Sequence, residues 1–260
     1  LEHPESRLST FLLVAKGEAL DILTSSPHFE QLPAEALREL TKTGFDIDTR
    51  NVLNYLHLPG IDPVIPVVKT VKTKNRGNDP KQEVQMDGLA IMKDDFLQFM
   101  TNEEETAGIS WLLNKMIDKS ITVPINKDSE INLNIAEYKI SPSFKLKNNL
   151  PEFTIKLKVD TILLQNEPDL NLEDNEIYKM ATNKTEQFIK KQVESILEHS
   201  KKEGVDPYGL GYLVYRTNNM VWEKHLRDKW RDLLPDIKVH IKIEADIIRV
   251  NNKGVKIREA

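Results

Sequence analysis

The sequence predicts an α+β fold with two domains, the C-terminal one a mainly antiparallel sheet with long helices packed on one face. Three segments alternate apolar and polar residues, and two long apolar stripes with helical spacing lie before the last of them. Strict alternation is typical of strands with one buried face and one solvated face. Antiparallel sheets tolerate that arrangement, whereas parallel strands covered on both faces are apolar throughout.

The first third of the chain predicts a mixture of helices and strands. Pro66 lies within one of the predicted strands, which favours an edge position or a late start, because proline cannot donate a hydrogen bond to a strand ladder. In chain order we expect a strand at 9–16, helices at 18–24 and 34–42, a helix capped by Asp48 or Thr49, and a strand at 64–71.

The segment 74–81 contains asparagine, glycine, aspartate and proline but no large apolar residue. Such a composition is typical of a loop. We therefore predict a smaller α/β domain at residues 1–76, a linker at 77–83 and a C-terminal α+β domain at 84–260.

The rest of the chain supplies the predicted C-terminal domain. Its apolar spacing follows strand and helix periods in turn. We expect a strand at 84–93, a turn at Asp94–Asp95, a helix in two pieces over 96–117 that is split near Thr101–Asn102, alternating strands around 131–135, 153–159 and 237–243, and helices at about 172–202 and 208–234.

Composition excludes several classes of function. The net charge is −5, with 36 basic and 41 acidic residues, so the basic excess of a nucleic-acid binder is absent. There are no cysteines, which excludes disulfides and thiolate chemistry. No apolar run approaches the ~20 residues that span a bilayer. The six histidines show no metal-ligand spacing. We therefore expect no metal, no cofactor and no catalytic residues.

The acidic run Glu103–Glu104–Glu105 has two interpretations. The carboxylates could serve acid–base chemistry or a cation site. Alternatively, they begin a helix in which Asn102 is the N-cap and Glu105 is the third residue, where negative charge favours the helix dipole. We favour the second interpretation. Among functional roles for these carboxylates, we favour binding of a partner over catalysis or cation binding.

Several motifs resemble those of the C-subunit lipoproteins of germinant receptors in bacterial spores. Asn102 to Thr106, followed by Gly108 and Trp111–Leu112, resembles the family's Asn-Glu-Glu-Glu-Thr-x-Gly-x-x-Trp-Leu signature, and Asp206 to Gly211 resembles its Asp-x-x-Gly-x-Gly turn. The segment 59–64 and the pattern from Trp222 to a closing strand through Arg249 are also similar. The resemblance covers nearly the whole chain.

The resemblance implies a non-enzymatic subunit of a nutrient-sensing receptor. It implies a precursor with a signal peptide and a lipidated cysteine, attachment to the outer face of the inner spore membrane, and assembly with two integral membrane subunits, A and B. This reading gives candidate partner-interaction residues at Glu103, Glu104, Glu105, Thr106, Asp206, Tyr208, Gly209 and Gly211.

Two alternatives remain open. A ligand-binding protein that captures a small nutrient germinant directly would need a deep pocket between the two domains, lined by aromatic rings and a few convergent polar groups. A hydrolase that used Glu103–Glu105 would need a second carboxyl group ~5–9.5 Å away in a cleft. The first alternative is the stronger of the two.

Overall fold

The computed structural model describes residues 8–25, 32–73, 81–116 and 119–248 of the 260-residue chain. It contains two four-stranded sheets, with strand orders β1-β2-β3-β4 and β5-β6-β7-β8. The strands are β1 (Val14–Ala15), β2 (Val64–Thr73), β3 (Lys81–Lys93), β4 (Phe96–Met100), β5 (Ser120–Pro124), β6 (Glu130–Lys147), β7 (Leu150–Asn166) and β8 (Val239–Ile248).

Within the described residues, the longer helices all lie between β1 and β8 along the chain. They are α1 (Ala19–Leu23), α2 (Pro33–Thr43), α3 (Thr49–His57), α4 (Glu103–Leu112), α5 (Asn175–Glu203) and α6 (Leu210–Thr217). Between α6 and β8 the chain forms short helical pieces at Asn219–Val221, Trp222–Leu226, Arg227–Lys229, Trp230–Leu233 and Leu234–Asp236. The fold is α+β, as the sequence predicts.

The first sheet is mixed, because β1 runs parallel to β2 while β2–β3 and β3–β4 are antiparallel. The prediction that Pro66 puts this strand at an edge or delays its start is wrong, since β2 begins at Val64 and lies between two neighbours. A shift of register between Pro66 and Val68 accommodates the proline. Bulges of this kind are the usual place for proline inside a sheet.

The second sheet is mainly antiparallel. Strand β5 pairs antiparallel with β6, and the two-residue turn Asn148–Asn149, with φ of 53° and 63°, folds β7 back onto β6. Contacts between β7 and β8 advance in the same direction on both strands, from Phe153 with Lys238 to Thr161 with Asp246. Strand β8 therefore joins parallel to β7, after a crossover through the helices.

Three predicted elements differ from the structure, and one strand was not predicted. Residues 96–100 form strand β4 rather than a helix, because the turn at Asp94, with φ of 56°, returns the chain directly onto β3. The predicted helix at 208–234 is broken into short pieces after Asn218, whose φ of −144° is not helical. Strand β5 was not predicted, and the predicted strand at 9–16 is reduced to Val14–Ala15 with an isolated bridge at Phe11.

The chain divides into two compact units, each built from separate segments. The first comprises residues 1–115, 143–153 and 192–239, and the second comprises 116–142, 154–191 and 240–260. Residues 77–80 of the predicted linker and Arg249 lie outside the described residues, while residues 81–83 begin β3. The division into domains at 1–76 and 84–260 stays a prediction.

Hydrogen bonds between a helix and a sheet are seen in the second unit, and a hydrophobic core in the first. In the second unit, the Tyr178 hydroxyl of α5 donates to the Asp246 carboxylate on β8, and the Ala245 amide donates to Glu186 at 3.0 Å, which ties the helix to the sheet. The core of the first unit is formed by Phe45, Ile47, Val52, Val64, Ile65, Val67, Leu89, Ala90, Ile91, Ile109, Ile196 and Val205.

Candidate functional site

The acidic run at 103–105 opens helix α4 with a reciprocal cap. The Asn102 side chain accepts the Glu105 amide at 2.9 Å, and the Glu105 carboxylate accepts the Asn102 amide at 2.9 Å. The second Glu105 oxygen lies 2.7 Å from Nδ1 of His199. Glu105 is buried, Glu104 is half-buried and Glu103 is exposed. The structure confirms that Asn102 and Glu105 form the N-terminal cap of a helix. The three carboxylates therefore differ in environment, from the buried Glu105 to the exposed Glu103.

Thr106 takes part in a chain of hydroxyl contacts. Its hydroxyl donates to the Asn102 carbonyl at 2.6 Å and lies 2.7 Å from the Thr101 hydroxyl, which accepts the Leu89 amide at 2.9 Å. Since the Thr106 proton is used on Asn102, Thr101 is the donor between the two hydroxyls. This chain connects the start of α4 to strand β3.

The turn at 206–211 is organised by Asp206, which is fully buried. Its carboxylate accepts the amides of Gly209 at 2.9 Å, Leu210 at 3.0 Å and Gly211 at 2.7 Å, and so satisfies the first N–H groups of α6. Gly209 has a φ of 75°. An added Cβ at Gly211 would lie 2.6 Å from the Trp230 ring and 2.8 Å from Gly60. The turn is therefore interior structure.

Asp206 also joins the loop before β2. The Asp62 amide donates to the Asp206 carbonyl at 2.9 Å, and the Asp206 amide donates to the Asp62 carboxylate at 2.8 Å. The other Asp62 oxygen accepts Arg231 at 2.7 Å, and the same guanidinium binds Asp94 through two contacts of 2.7 and 2.8 Å. One arginine thus bridges a buried and an exposed carboxylate.

Burial shifts the protonation of this cluster. It raises the pKa of Asp206 to about 7, against three amide hydrogen bonds that lower it. Burial also raises the pKa of Asp62, against the Asp206 amide and Arg231. The pKa of Asp94 is lowered, chiefly by its hydrogen bonds from Arg231. Burial raises the pKa of Tyr208 well above its ordinary value.

A cavity of about 700 Å³ lies in the first unit beside this cluster. One wall is the continuous segment 55–63, which includes the end of α3, and the other is formed by residues between 215 and 232 together with Asp94. Arg231 and Asp62 both line it. The volume is within the range of small-molecule sites, which is roughly 300–1,000 Å³.

Two tryptophans line the cavity and are nearly fully buried, Trp222 at 1% and Trp230 at 4% exposure. Neither indole N–H has a hydrogen-bond partner within the described part of the chain. The segment Trp222–Leu226 is a π-helix. Such segments are rare and often occur at functional sites. The third tryptophan differs, since Trp111 donates to Gln192 at 3.0 Å in the core.

The sequence-based candidates lie at two helix N-termini rather than around the cavity. Glu103 to Thr106 begin α4, and Asp206 to Gly211 precede and begin α6. Sequence reasoning missed Arg231, Asp94 and the cavity itself. A signal was available in Asp62, an acidic residue between Gly60 and Pro63 in an otherwise apolar segment, but nothing local indicates its pairing with Arg231, 169 positions away.

Two kinds of feature are absent from residues 8–25, 32–73, 81–116 and 119–248. No helix there has the length and apolar character that crossing a membrane requires. No group of three or more acidic or histidine side chains there is arranged to hold a metal ion.

Fold and site together define a class: an α+β protein with two sheets and a small-molecule-sized cavity, whose conspicuous carboxylates are structural. The spore germination B3/GerAC-like C-terminal family matches residues 87–251, and the spore germination protein N-terminal domain matches residues 1–70. The chain belongs to the spore germination B3/GerAC-like family.

Individual relatives agree with this assignment. YfkR of Bacillus subtilis (strain 168) is 28% identical over 97% of this chain and 65% of its own length. Spore germination proteins KC and B3 of the same strain are 24% and 25% identical, over 66% and 62% of their lengths. The chain therefore spans about two thirds of these relatives.

The fold itself is similar to a solved structure. The crystal structure of the GerBC protein superposes with a TM-score of 0.70 at 20% identity, covering 94% of this chain and 70% of that one. The recognition of the family and of the α+β fold from sequence is confirmed.

Proposed function

We propose that this chain is part of a non-enzymatic C subunit of a spore germinant receptor. The observation that carries the proposal is the match of both family domains, which together cover most of the chain. The environment of Glu105 supports a role without catalysis, because its two oxygens are engaged by a backbone amide and a histidine in a helix cap.

In this proposal the subunit works by docking. It would be held by an N-terminal lipid at the outer face of the inner spore membrane and would bind the integral membrane A and B subunits. Among the sequence-based candidates, Glu103 is the exposed side chain, whereas Glu105, Asp206, Gly209 and Gly211 are buried. Glu103 is therefore the best first probe of the docking surface, with Glu104 beside it.

The test is co-purification of the full-length, lipidated protein with its membrane subunits. We expect Glu103→Lys to reduce the recovered complex several-fold, because a charge on a docking surface changes its complementarity to the partner. The substitution also removes a favourable charge from a helix N-terminus, at a cost of about 0.3–1 kcal/mol.

Glu176→Lys is the matched control. Glu176 lies in the first turn of α5, its side chain is 86% exposed, and its contact with Lys179 at 3.4 Å is a surface pair. The control carries the same charge change and a similar helix-dipole cost. Equal recovery of both variants and of the wild type would remove Glu103 from the interface. Recovery of no membrane subunit with the wild type would overturn the docking role.

Direct capture of a small ligand is a second candidate function, and the cavity favours it. What supports this candidate is the lining of the cavity, which combines aromatic rings with charged side chains, as small-molecule sites do.

A further inference from the structure

The end of the hairpin formed by β6 and β7 projects from the first unit. Successive side chains of a strand point to opposite faces, so a strand that packs against a core alternates between buried and exposed residues. At the end of β6, however, Lys145, Leu146 and Lys147 are all exposed. The two residues of the turn and Leu150 after it are exposed as well. Both faces of the hairpin end are therefore open to solvent.

The base of the same hairpin is fixed by aromatic packing. The rings of Phe144 and Phe153 are 5.8 Å apart, and Phe153 meets Trp230 edge-on at 6.3 Å. Phe153 is fully buried. The turn itself is tight, because Asn148 and Asn149 both take the left-handed conformation of a two-residue hairpin loop. A tight turn thus stands on an anchored base.

The hairpin end carries an exposed leucine on each face. A two-residue turn places Lys147 opposite Leu150, so these side chains share one face, whereas Leu146 points to the other. Leu146 is 38% exposed and Leu150 is 44% exposed. Leu150 also lines a cavity of about 240 Å³ with Leu233 and Ile237. Two lysines and two acidic residues line this cavity too, so it extends the apolar surface without adding net charge.

The charge of the hairpin end is positive, although the chain as a whole is negative. Segment 143–151 contains Lys145 and Lys147 and no acidic residue, while the net charge of the chain is −5. The long stem of a lysine lets its ammonium group stay at a polar surface while neighbouring apolar side chains are buried. Anionic headgroups above hydrocarbon are complementary to leucines flanked by lysines.

We propose that the end of the β6–β7 hairpin inserts into the interfacial region of an anionic lipid bilayer. Leu146 and Leu150 would lie at the level of the acyl chains, and Lys145 and Lys147 at the phosphate groups. One hairpin buries little apolar area, so this contact is weak and reversible by itself. The inference rests on the proposed attachment to a membrane and names the surface that touches the lipid. Its test uses vesicles without receptor subunits, so its failure would leave the docking proposal standing.

A fluorophore on a single cysteine tests insertion directly, since the chain has no cysteine of its own. We expect an NBD label on Leu150→Cys to gain at least twofold in emission when vesicles containing phosphatidylglycerol are added, because the label leaves water. Leu164→Cys is the matched control, since Leu164 is also a leucine of β7 and is 59% exposed. Its label should not respond. An equal response at both positions, or no response at position 150, would overturn the proposal.

Two double substitutions separate local charge from net charge. Lys145→Gln combined with Lys147→Gln should weaken binding to the same vesicles at least fivefold in a flotation assay, because basic residues close to an anionic surface are attracted to it. Lys156→Gln combined with Lys184→Gln removes the same charge from exposed positions on β7 and α5 and should leave binding unchanged. Equal weakening by both pairs would contradict a contact at the hairpin.

The vesicle composition identifies the partner. Vesicles of phosphatidylcholine alone should bind the wild type at least fivefold more weakly than those with phosphatidylglycerol, because they lack the negative surface potential. Equal binding of the two would contradict recognition of anionic headgroups. A response of the label at position 150 that requires the membrane subunits and not the lipid would identify a protein interface and overturn the proposal.

Discussion

At the scale of single residues, the side chains that look most reactive in the sequence are engaged internally. Glu105 closes a capping box and contacts His199, and Asp206 satisfies three amides while it is fully buried. Burial of an unneutralised carboxylate costs free energy, which is why the pKa of Asp206 rises to about 7. The raised pKa of Asp206 therefore marks a buried structural contact. A shifted pKa does not by itself identify a catalytic group.

The raised pKa of Asp206 predicts a pH dependence of stability. An unfolded aspartate ionises near pH 3.9, so between about pH 4 and 7 the unfolded chain loses a proton that the folded chain keeps. The contribution of Asp206 to the free energy of unfolding is therefore fully present below about pH 4, declines as pH rises to about 7 and is then constant. The ceiling is on the order of 4 kcal/mol.

Asp206→Asn cannot ionise, so subtracting its unfolding curve from that of the wild type isolates this residue. We expect the wild type to lose stability relative to the variant between pH 4 and 7.5 in denaturant titrations. Parallel curves would show that the Asp206 carboxylate is already ionised at pH 4 in the folded chain. A ¹³C titration of the carboxyl group, with a midpoint near 7, is an independent check on the wild type.

At the scale of elements, the family signature at 102–112 is a packing device. Asn102 and Glu105 cap α4, Thr106 binds the end of β4 through Thr101, and Trp111 donates to Gln192 on α5. Gly108 allows the closest approach, because an added Cβ would lie 2.0 Å from the Gln192 carbonyl oxygen. Asn102, Glu105, Thr106, Gly108 and Trp111 are thus each accounted for by a contact within the first unit, whereas Glu103 is exposed.

Gly108→Ala tests that account. Alanine in a helix is favoured over glycine by about 1 kcal/mol, so a spacious position would gain stability. Here the backbone contact dominates, and we expect a net loss of about 1–3 kcal/mol in the free energy of unfolding. Ala107→Gly is the control, since it changes helix propensity alone at a half-buried neighbour and should cost about 1 kcal/mol. A Gly108→Ala protein as stable as the wild type would contradict the close packing of α4 on α5.

Patterns of apolar residues predicted the elements well where burial follows the two-residue period of a strand or the 3.6-residue period of a helix. The alternation at 131–135 and 153–159 and the stripe of α5 are confirmed. The failures are at residues 96–100 and 218–234, where pairing with β3 and the packing of Trp222 and Trp230 around Gly60 and Gly211 override local preference. The cavity could not be predicted for the same reason, since its two walls are separated by about 160 positions.

At the scale of the whole molecule, the first unit is assembled from segments far apart in the chain. Strand β2 pairs with β3 over most of its length, and Val64 and Val67 are fully buried. The loop before β2 is held by Asp206, and Gly60 contacts Gly211 across a gap that no side chain could enter. The N-terminal third thus relies on residues beyond 81 for its sheet and beyond 200 for its loop.

This dependence leads to a prediction about the excised segment 1–76. Without β3 it would expose the edge of β2 and its apolar residues, and too little surface would be buried to offset the conformational entropy of ordering the chain. We expect the fragment to give a poorly dispersed amide NMR spectrum and no cooperative thermal transition, whereas the 260-residue chain gives both dispersion and cooperativity. A well-dispersed spectrum from residues 1–76 would instead establish an independent domain that ends before the loop at 77–83. It would also mean that the contacts of Asp62 with Asp206 and Arg231 attach an independently folded domain to the rest of the first unit, since the fragment keeps Asp62 but lacks both of its partners.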